Sequence, residues 1–479
     1  MSKAALLFIL GKASMKRLLA CLFSALLLSC CLSASAAEES PQLVVPGDDL
    51  PYAVTGGYRI DFTRNGAFVV SRDGHYLFDG GLVYTSPDWK EWGTQIRKSD
   101  DVDSWQTDPL ENAPKLQVHG TLFDFNRNAR FTFAESAEVI PGGLRLSYGI
   151  TPLEKRQIGA FGVTLHFPVA ETADARAVFS PGLDSVAMPK DLEGATIYSG
   201  TARAATVAVA AKPRVMVAGS GSIGWRLLDY RTWGVNAYWL VGMDSALRQP
   251  LSRGETASFT FDVWLGDAAA HRIALGPAWC VADPYGGIAI EAGGERIAAG
   301  GLAGEGEQLK WIHATARAEV PGGDADAEAS GQSGSTQGPL GYDVKLAREP
   351  DNAVLVTYKM HRLDDAKGDC RARLTLAIPM PKAPSSPPEH STGVEGGVPA
   401  SGGSAAPAAQ RVLQVVCRDG RVLTVEAADA LSTSRAQVNG TDCSLASVPI
   451  RSPEGDGATV WVRLKLTERP AVAGGGTGK

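Results

Sequence analysis

Cysteine and histidine are scarce in this 479-residue chain, seven of each, and none stands at the spacing of a metal motif: CxxC, HxH and HExxH are all absent. No metal site and no other cofactor is therefore expected. A GxSxG elbow and an EF-hand loop are also missing, which removes the hydrolase and calcium-sensor readings that rest on them. Basic residues do not dominate, with 46 Lys and Arg against 52 Asp and Glu. That balance disfavours nucleic acid and anionic lipid as partners, since both are met by excess positive charge. Beyond Leu32 no apolar run approaches the roughly 20 residues that a membrane helix needs.

What the amino terminus does have is the pattern of an export leader. Lys16 and Arg17 precede an apolar run from Leu18 to Leu32, and Ala34-Ser35-Ala36 fits small-x-small cleavage, so residues 1–36 read as a signal peptide. Leu27-Leu28-Ser29-Cys30 offers a second reading, a lipoprotein box in which Cys30 becomes the lipidated first residue. Both imply an exported chain, periplasmic, extracellular or held at the outer surface, with lipid as its one link to a membrane. Removing Lys3, Lys12, Lys16 and Arg17 with the leader leaves 42 basic against 52 acidic residues, a formal net charge of about −10. Cleavage after Ala36 also leaves four cysteines, Cys280, Cys370, Cys417 and Cys443. In an oxidising compartment they could pair as two disulfides, Cys417 with Cys443 being one candidate, or stay as buried thiols.

Two stretches echo one another. GAFVVSRDGHYLFDGGLVYTSPDWKEW (66–92) and GGIAIEAGGERIAAGGLAGEGEQLKW (286–311) carry Gly80-Gly81 and Gly300-Gly301 at the same distance from their opening glycines. Further on, Tyr148 stands twenty residues before Pro168 and Tyr358 twenty-one before Pro379, and SFTFDVWLGD around Trp264 matches GATVWVRLKLTE around Trp461. Self-similarity of this kind predicts a duplicated module. Short alternating runs such as ARFTFAESAEV, GVTLHFPV, AVLVTYKM and RLTLAIPM, punctuated by many of the 54 Gly and 28 Pro, predict an all-β chain of two tandem antiparallel β-sandwich domains, 45–268 and 276–470. Segments 321–339 and 383–410 and the tail 471–479 are too polar and too rich in Gly, Ser and Pro to order themselves, and read as long loops and a flexible end.

GSGSIG (219–224), with Asp244 twenty residues on, formally satisfies a dinucleotide pattern, but the aromatic-rich sequence after it does not suit a crossover helix, so a Gly-rich β turn is expected. The stronger site candidate is Tyr84, Asp88, Trp89, Arg97, Asp101 and Trp105, where flat aromatic rings that can stack on a sugar ring mix with charged groups that can bind its hydroxyls. Trp92 is read as a core anchor because Trp311 recurs in the second stretch. Trp225, Tyr230, Trp233, Tyr238 and Trp239 form a second aromatic group with a stronger core character, and His166 is expected on the solvent side of a strand. No catalytic residue is assigned; the pair Asp364-Asp365 is expected to be solvated.

The order YRIDFTRNGAFVVSRDG, RFTFAESAEVIPGGLRLSYGITP, GVTLHFPVA and ASFTFDVWLGD resembles the galactose-mutarotase-like supersandwich β regions attached to large exported bacterial carbohydrate-active proteins. That resemblance implies a sandwich fold and a sugar-related role, without placing the mutarotase catalytic His and Glu on any position here. The resulting expectation is a non-catalytic, exported or lipid-anchored protein that binds polysaccharide or other envelope components. The alternatives are a glycan-active hydrolase, lyase or epimerase with its site in the first copy, and a purely structural envelope protein.

Overall fold

The computed structural model describes residues 41–45, 50–96, 102–107, 115–180, 184–209, 212–244, 250–283, 285, 287–293, 295–304, 327–335, 338–362, 370–380, 411–438, 441–452 and 458–468. The leader with Cys30, the segments 383–410 and 471–479, and Arg97, Asp101, Trp311 and Asp364-Asp365 lie outside the described residues.

Alternation of buried and half-exposed side chains runs through segments such as 115–123, 143–152 and 458–467, and others such as 160–168 are buried almost throughout; both patterns fold as strands. The first half contributes β1 (Gln42–Val44), β2 (Tyr52–Thr55), β3 (Tyr58–Phe62), β4 (Phe68–Arg72), β5 (His75–Thr85), β6 (Trp92–Thr94), β7 (Val102–Thr107), β8 (Lys115–Phe123) and β9 (Ala129–Ile140). It continues with β10 (Gly143–Pro152), β11 (Ala160–Pro168), β12 (Arg176–Ser180), β13 (Ser185–Ala187), β14 (Thr196–Val209), β15 (Lys212–Asp229), β16 (Ala237–Asp244) and β17 (Ala257–Leu265). The second half holds β18 (His271–Leu275), β19 (Ala278–Ala282), β20 (Ile288–Ala292), β21 (Glu295–Gly304), β22 (Ala327–Ser335), β23 (Gly338–Arg348) and β24 (Ala353–Arg362). It ends with β25 (Cys370–Pro379), β26 (Val412–Val416), β27 (Val422–Ala427), β28 (Ser432–Val438), β29 (Thr441–Ser452) and β30 (Ala458–Thr467).

In the first half β4, β5, β11 and β16 pair in that order, and so do β8, β9, β10 and β17. The strand β15 joins the two series. Its Val215–Gly219 segment pairs with β17 and its Ile223–Asp229 segment with β16, while β14 follows it on the other side through register shifts. Val215, Val217, Ile223, Trp225 and Leu227 all enter one core with Phe68, Phe131, Tyr148 and Phe161, so the strand keeps the same face inward as it crosses from layer to layer. GSGSIG lies at the crossing. It is neither a turn nor a phosphate loop; small residues let an extended strand change sheets there.

The second half pairs as two sheets, β18-β19-β20-β21-β25-β29-β28 and β22-β23-β24-β30-β27-β26. Their order β20-β21-β25-β29 and β22-β23-β24-β30 matches β4-β5-β11-β16 and β8-β9-β10-β17. Registers agree in detail: Gly80 pairs with Phe68 and Leu165, Gly300 with Ile288 and Leu376, which puts Pro168 and Pro379 each three residues beyond the glycine's partner. Tyr148 pairs with Phe259 and Tyr358 with Val460, both tyrosines fully buried. By that register the position equivalent to Trp264 is Lys465, not Trp461, so the tryptophan match in the sequence is one of strands and not of residues.

Three expectations need correction. Within 321–339, Ala327–Ser335 is strand and pairs with β23, because a polar hairpin whose backbone groups are bonded needs little apolar surface. The strand β18 precedes residue 276 yet pairs with β19, so the second sheet system starts earlier than expected. Cys280, Cys417 and Cys443 are free and buried, Cys417 after β26 in one sheet and Cys443 on β29 in the other. Burial raises the thiol of Cys280 to about 12 and those of Cys417 and Cys443 to about 11, so they are inert packing groups.

Candidate functional site

Along β11, Phe161, Val163, Leu165 and Phe167 fill the sandwich core, which leaves Thr164 and His166 on the opposite face of the sheet. On β16 the same alternation sends Tyr238 and Leu240 inward and Trp239, Val241 and Met243 outward. This outer face is not bare. Val83, Ala160, Leu228, Trp239, Val241 and Met243 form a second apolar cluster under the partly buried rings of Trp89, Trp92 and Tyr230.

Register brings three chemical groups side by side: His166 stands opposite Asp79 of β5 on one flank and opposite Trp239 of β16 on the other. The imidazole Nδ1 lies 3.1 Å from Asp79 Oδ1, and Asp79 Oδ2 accepts a 2.8 Å hydrogen bond from Tyr76. Burial lowers the His166 pKa, and the Asp79 carboxylate, which pulls the other way, does not reverse it, so the ring is neutral near pH 7. Among the described residues His166 Nε2, Trp239 Nε1 and Thr164 Oγ1 are buried without a hydrogen-bond partner.

Aromatic stacking continues outward from this point. Trp239 is packed between His166, at 3.8 Å and 13°, and Tyr230, at 3.4 Å and 11° between ring planes. Tyr230 meets Trp233 at 4.7 Å, while on the other side Trp92 meets the edge of Trp239 at 6.0 Å and Phe125 at 5.9 Å. Both faces of Trp239 are thus occupied by protein rings. The ladder ends in solvent, with Trp233 56% and Phe125 55% exposed.

Local chemistry holds each end. The 3-10 turn Tyr230–Trp233 is capped by buried Asp229, whose carboxylate takes the Arg231 guanidinium on both oxygens, at 2.9 and 2.6 Å; Gly234, at φ 78°, ends the turn. Arg231 also donates to the carbonyls of Pro189 and Lys190. At the other end SPDWKEW folds into a tight turn in which Ser86 N donates to Glu91 O and Ser86 Oγ donates to Asp88. Glu91 binds Arg130 and Arg156, and Arg130 binds buried Asp124, which ties the turn to β9. Phe125 N donates to Trp92 O at 2.9 Å.

Of the residues expected to form the site, Arg97 and Asp101 lie outside the described residues, and Tyr84 does not join Asp88 and Trp89 at the surface. Tyr84 points into the sandwich core against Phe131 and Phe161, because β5 turns its even-numbered residues inward at this point. Asp88 is exposed, and its bonds to Ser86 and Lys90 hold its carboxyl down to about 2. Trp89 does lie over the outer face, at φ 61°, with the Arg226 guanidinium 4.5 Å above its ring. Trp105 belongs to β7, which pairs with β8 rather than with β5 or β6. Reasoning from sequence named Trp239 as one of an aromatic group and His166 as a solvent-side residue but did not join them to each other or to Asp79, since the three come from strands far apart in the chain. The alternation of His166 with Leu165 and Phe167 carried their direction. What covers that face was not legible.

No protein-family model matches the sequence, and no curated protein does. Solved structures similar to part of the chain include a putative aldose 1-epimerase from Escherichia coli, 9% identical, covering 47% of this chain and 100% of that one with a TM-score of 0.31. A galactose mutarotase-like protein from Clostridium acetobutylicum is 10% identical over 47% of this chain and 98% of its own, with a TM-score of 0.30. A galactose mutarotase related enzyme from Lactobacillus acidophilus is 9% identical over 47% and 97%, also at 0.30. Likeness this slight leaves any functional reading to rest on the side chains described above.

Proposed function

We propose that the chain is an exported or Cys30-anchored β-sandwich protein that binds glycan on the outer face of the β5-β11-β16 sheet. The observation that carries this reading is the aromatic ladder with its two solvent-exposed ends, Trp233 and Phe125. A large exposed ring at each end of a stacked row is costly in water and useful to a ligand with flat apolar faces. Sugar rings have such faces, and their hydroxyls suit the charged rim of Glu91, Arg226 and Asp88. Trp239, already covered on both sides, supports the rings that do the contacting.

A second reading is favoured by the Asp79 and His166 contact: a neutral imidazole oriented by a carboxylate is a general acid or base in form. One experiment separates the two. Purified chain lacking residues 1–36 is applied to a glycan array, then its best ligand is titrated against Trp233→Ala, Phe125→Ala and Trp89→Ala, with turnover of the same glycan followed in parallel. Binding that falls more than about tenfold in the first two variants, as loss of stacking worth 1.4 kcal/mol would give, and less in Trp89→Ala, is the expected result. Array silence, or unchanged affinity in Trp233→Ala, sinks the binding reading. Turnover abolished by His166→Gln would instead make the site catalytic.

A further inference from the structure

Glu135 sits on β9 in the core of the first half, 2% exposed, and among the described residues no Lys, Arg or His makes an ion pair with it. Its carboxyl accepts from Gln95 Nε2 at 2.7 Å, and the Tyr148 hydroxyl on β10 lies 3.5 Å away. The backbone beside it has been cleared to let it in: a Cβ on Gly66, at φ 86°, would come within 2.2 Å of Glu135 Oε2. Gln95 is the hub of this cluster. Its side chain donates to Asn65 O and accepts from Leu82 N at 2.7 Å, its backbone N donates to Leu82 O, and Asn65 Nδ2 donates to its carbonyl. Gln95 directly follows β6, the three-residue strand whose first member is Trp92.

We propose that Glu135 is kept as a neutral carboxylic acid and acts as a positioning residue, its carboxyl oxygen accepting from Gln95 and so fixing, through β6, the placement of Trp92 in the aromatic ladder. The consequence for ligand binding rests on the glycan reading above; the proton itself does not. An ionised carboxylate here would be a buried charge with no cation to meet it among the described residues, so protonation is the state that these surroundings select. The groups facing Glu135 are Gln95, Asn65 and Gly66 from the β3-β4 and β6 side and Tyr148 from β10. Tyr148 is the titratable one, and burial raises it too, so it stays neutral as well. Desolvation lifts Glu135 to about 8, against the pull of its two hydrogen bonds.

The test uses the chain lacking residues 1–36 and needs no sugar. With glutamate labelled at its carboxyl carbon, wild type is expected to keep one side-chain signal at the protonated position at pH 7, and Glu135→Gln to lose that signal. Thermal midpoints should be equal for the two proteins near pH 4.5 and separate by several degrees in favour of Glu135→Gln by pH 8, because only wild type must hold a proton that its unfolded chain has released. With 5-fluorotryptophan, a resonance assigned by Trp92→Phe should shift in wild type between pH 7 and 9 and stay fixed in Glu135→Gln. No protonated glutamate at pH 7 overturns the neutral state even if the variant fails to fold, and a Trp92 resonance that is indifferent to pH in wild type overturns the positioning role. If these results hold while the glycan array is silent, it is the glycan reading that falls.

Discussion

At the scale of single residues, His166 shows how much depends on what lies over a strand. Its alternation with two core residues sends it to the far side of β11, and the sequence suggests water there; the structure instead stacks Trp239 on it. A strand's period reports direction, while coverage is decided by residues 60 to 90 positions away, such as Asp79 and Trp239, which pairing brings together. The burial that lowers its pKa has a measurable sign. A folded value below the unfolded one, about 6.5, means that the contribution of neutral His166 is fully present above that pH and is lost as pH falls through the folded value. Urea midpoints compared between pH 7 and 5 should therefore drop more in wild type than in His166→Gln. Equal drops would show that the histidine titrates as an exposed one.

At the scale of elements, most strands were legible and their neighbours were not. Hydrophobic alternation marked β9, β10, β11, β24 and β25 because each has one face in a core. It failed for Ala327–Ser335, a strand made of Ala, Ser, Gly, Gln and Glu with no hydrophobic alternation to read. The matched glycines teach a finer distinction. A Cβ on Gly80 would meet the rings and methyls of Phe68 and Leu165 at 2.4 and 2.6 Å, whereas one on Gly300 would meet the carbonyl oxygen of Thr375 at 2.1 Å. Side chains can yield and a paired strand's carbonyl cannot. Both substitutions to Ala should destabilise, Gly80→Ala by about 1–3 kcal/mol as other overpacked cores do and Gly300→Ala by more, measured as chemical denaturation midpoints. The reverse ranking would mean that the paired strand at Thr375 yields more readily than the Phe68 and Leu165 side chains. Duplication of an ancestral module is the origin we propose for their shared register.

At the scale of the whole molecule, the halves do not stand apart. Met216, Ala218, Ala204 and Trp264, on the outer side of the first half's β14-β15-β17 layer, are buried in the core of the second. Polar groups follow the same route. Trp264 Nε1 donates to the Tyr285 hydroxyl at 2.9 Å, that hydroxyl donates to Asp262 at 2.9 Å, and Arg145 closes on Asp262 at 2.8 Å. Tyr285→Phe leaves the Trp264 N–H and an Asp262 oxygen without this bridge inside the protein, at a cost of about 1–3 kcal/mol. A single unfolding transition shifted down by that amount is expected, and an unshifted one would show that the halves do not lean on this contact. The sequence could not show that one core is shared by strands on either side of residue 270, since the contacting residues look like ordinary strand alternation on both sides.

One ribbon gives the first half a further property. Because β15 belongs to both layers, with Gly219 to Gly224 at the crossing, the leaves of that sandwich are bound along one margin as pages are bound to a spine. At the crossing the binding is made of glycine and serine, with Ile223 alone reaching into the core between the leaves.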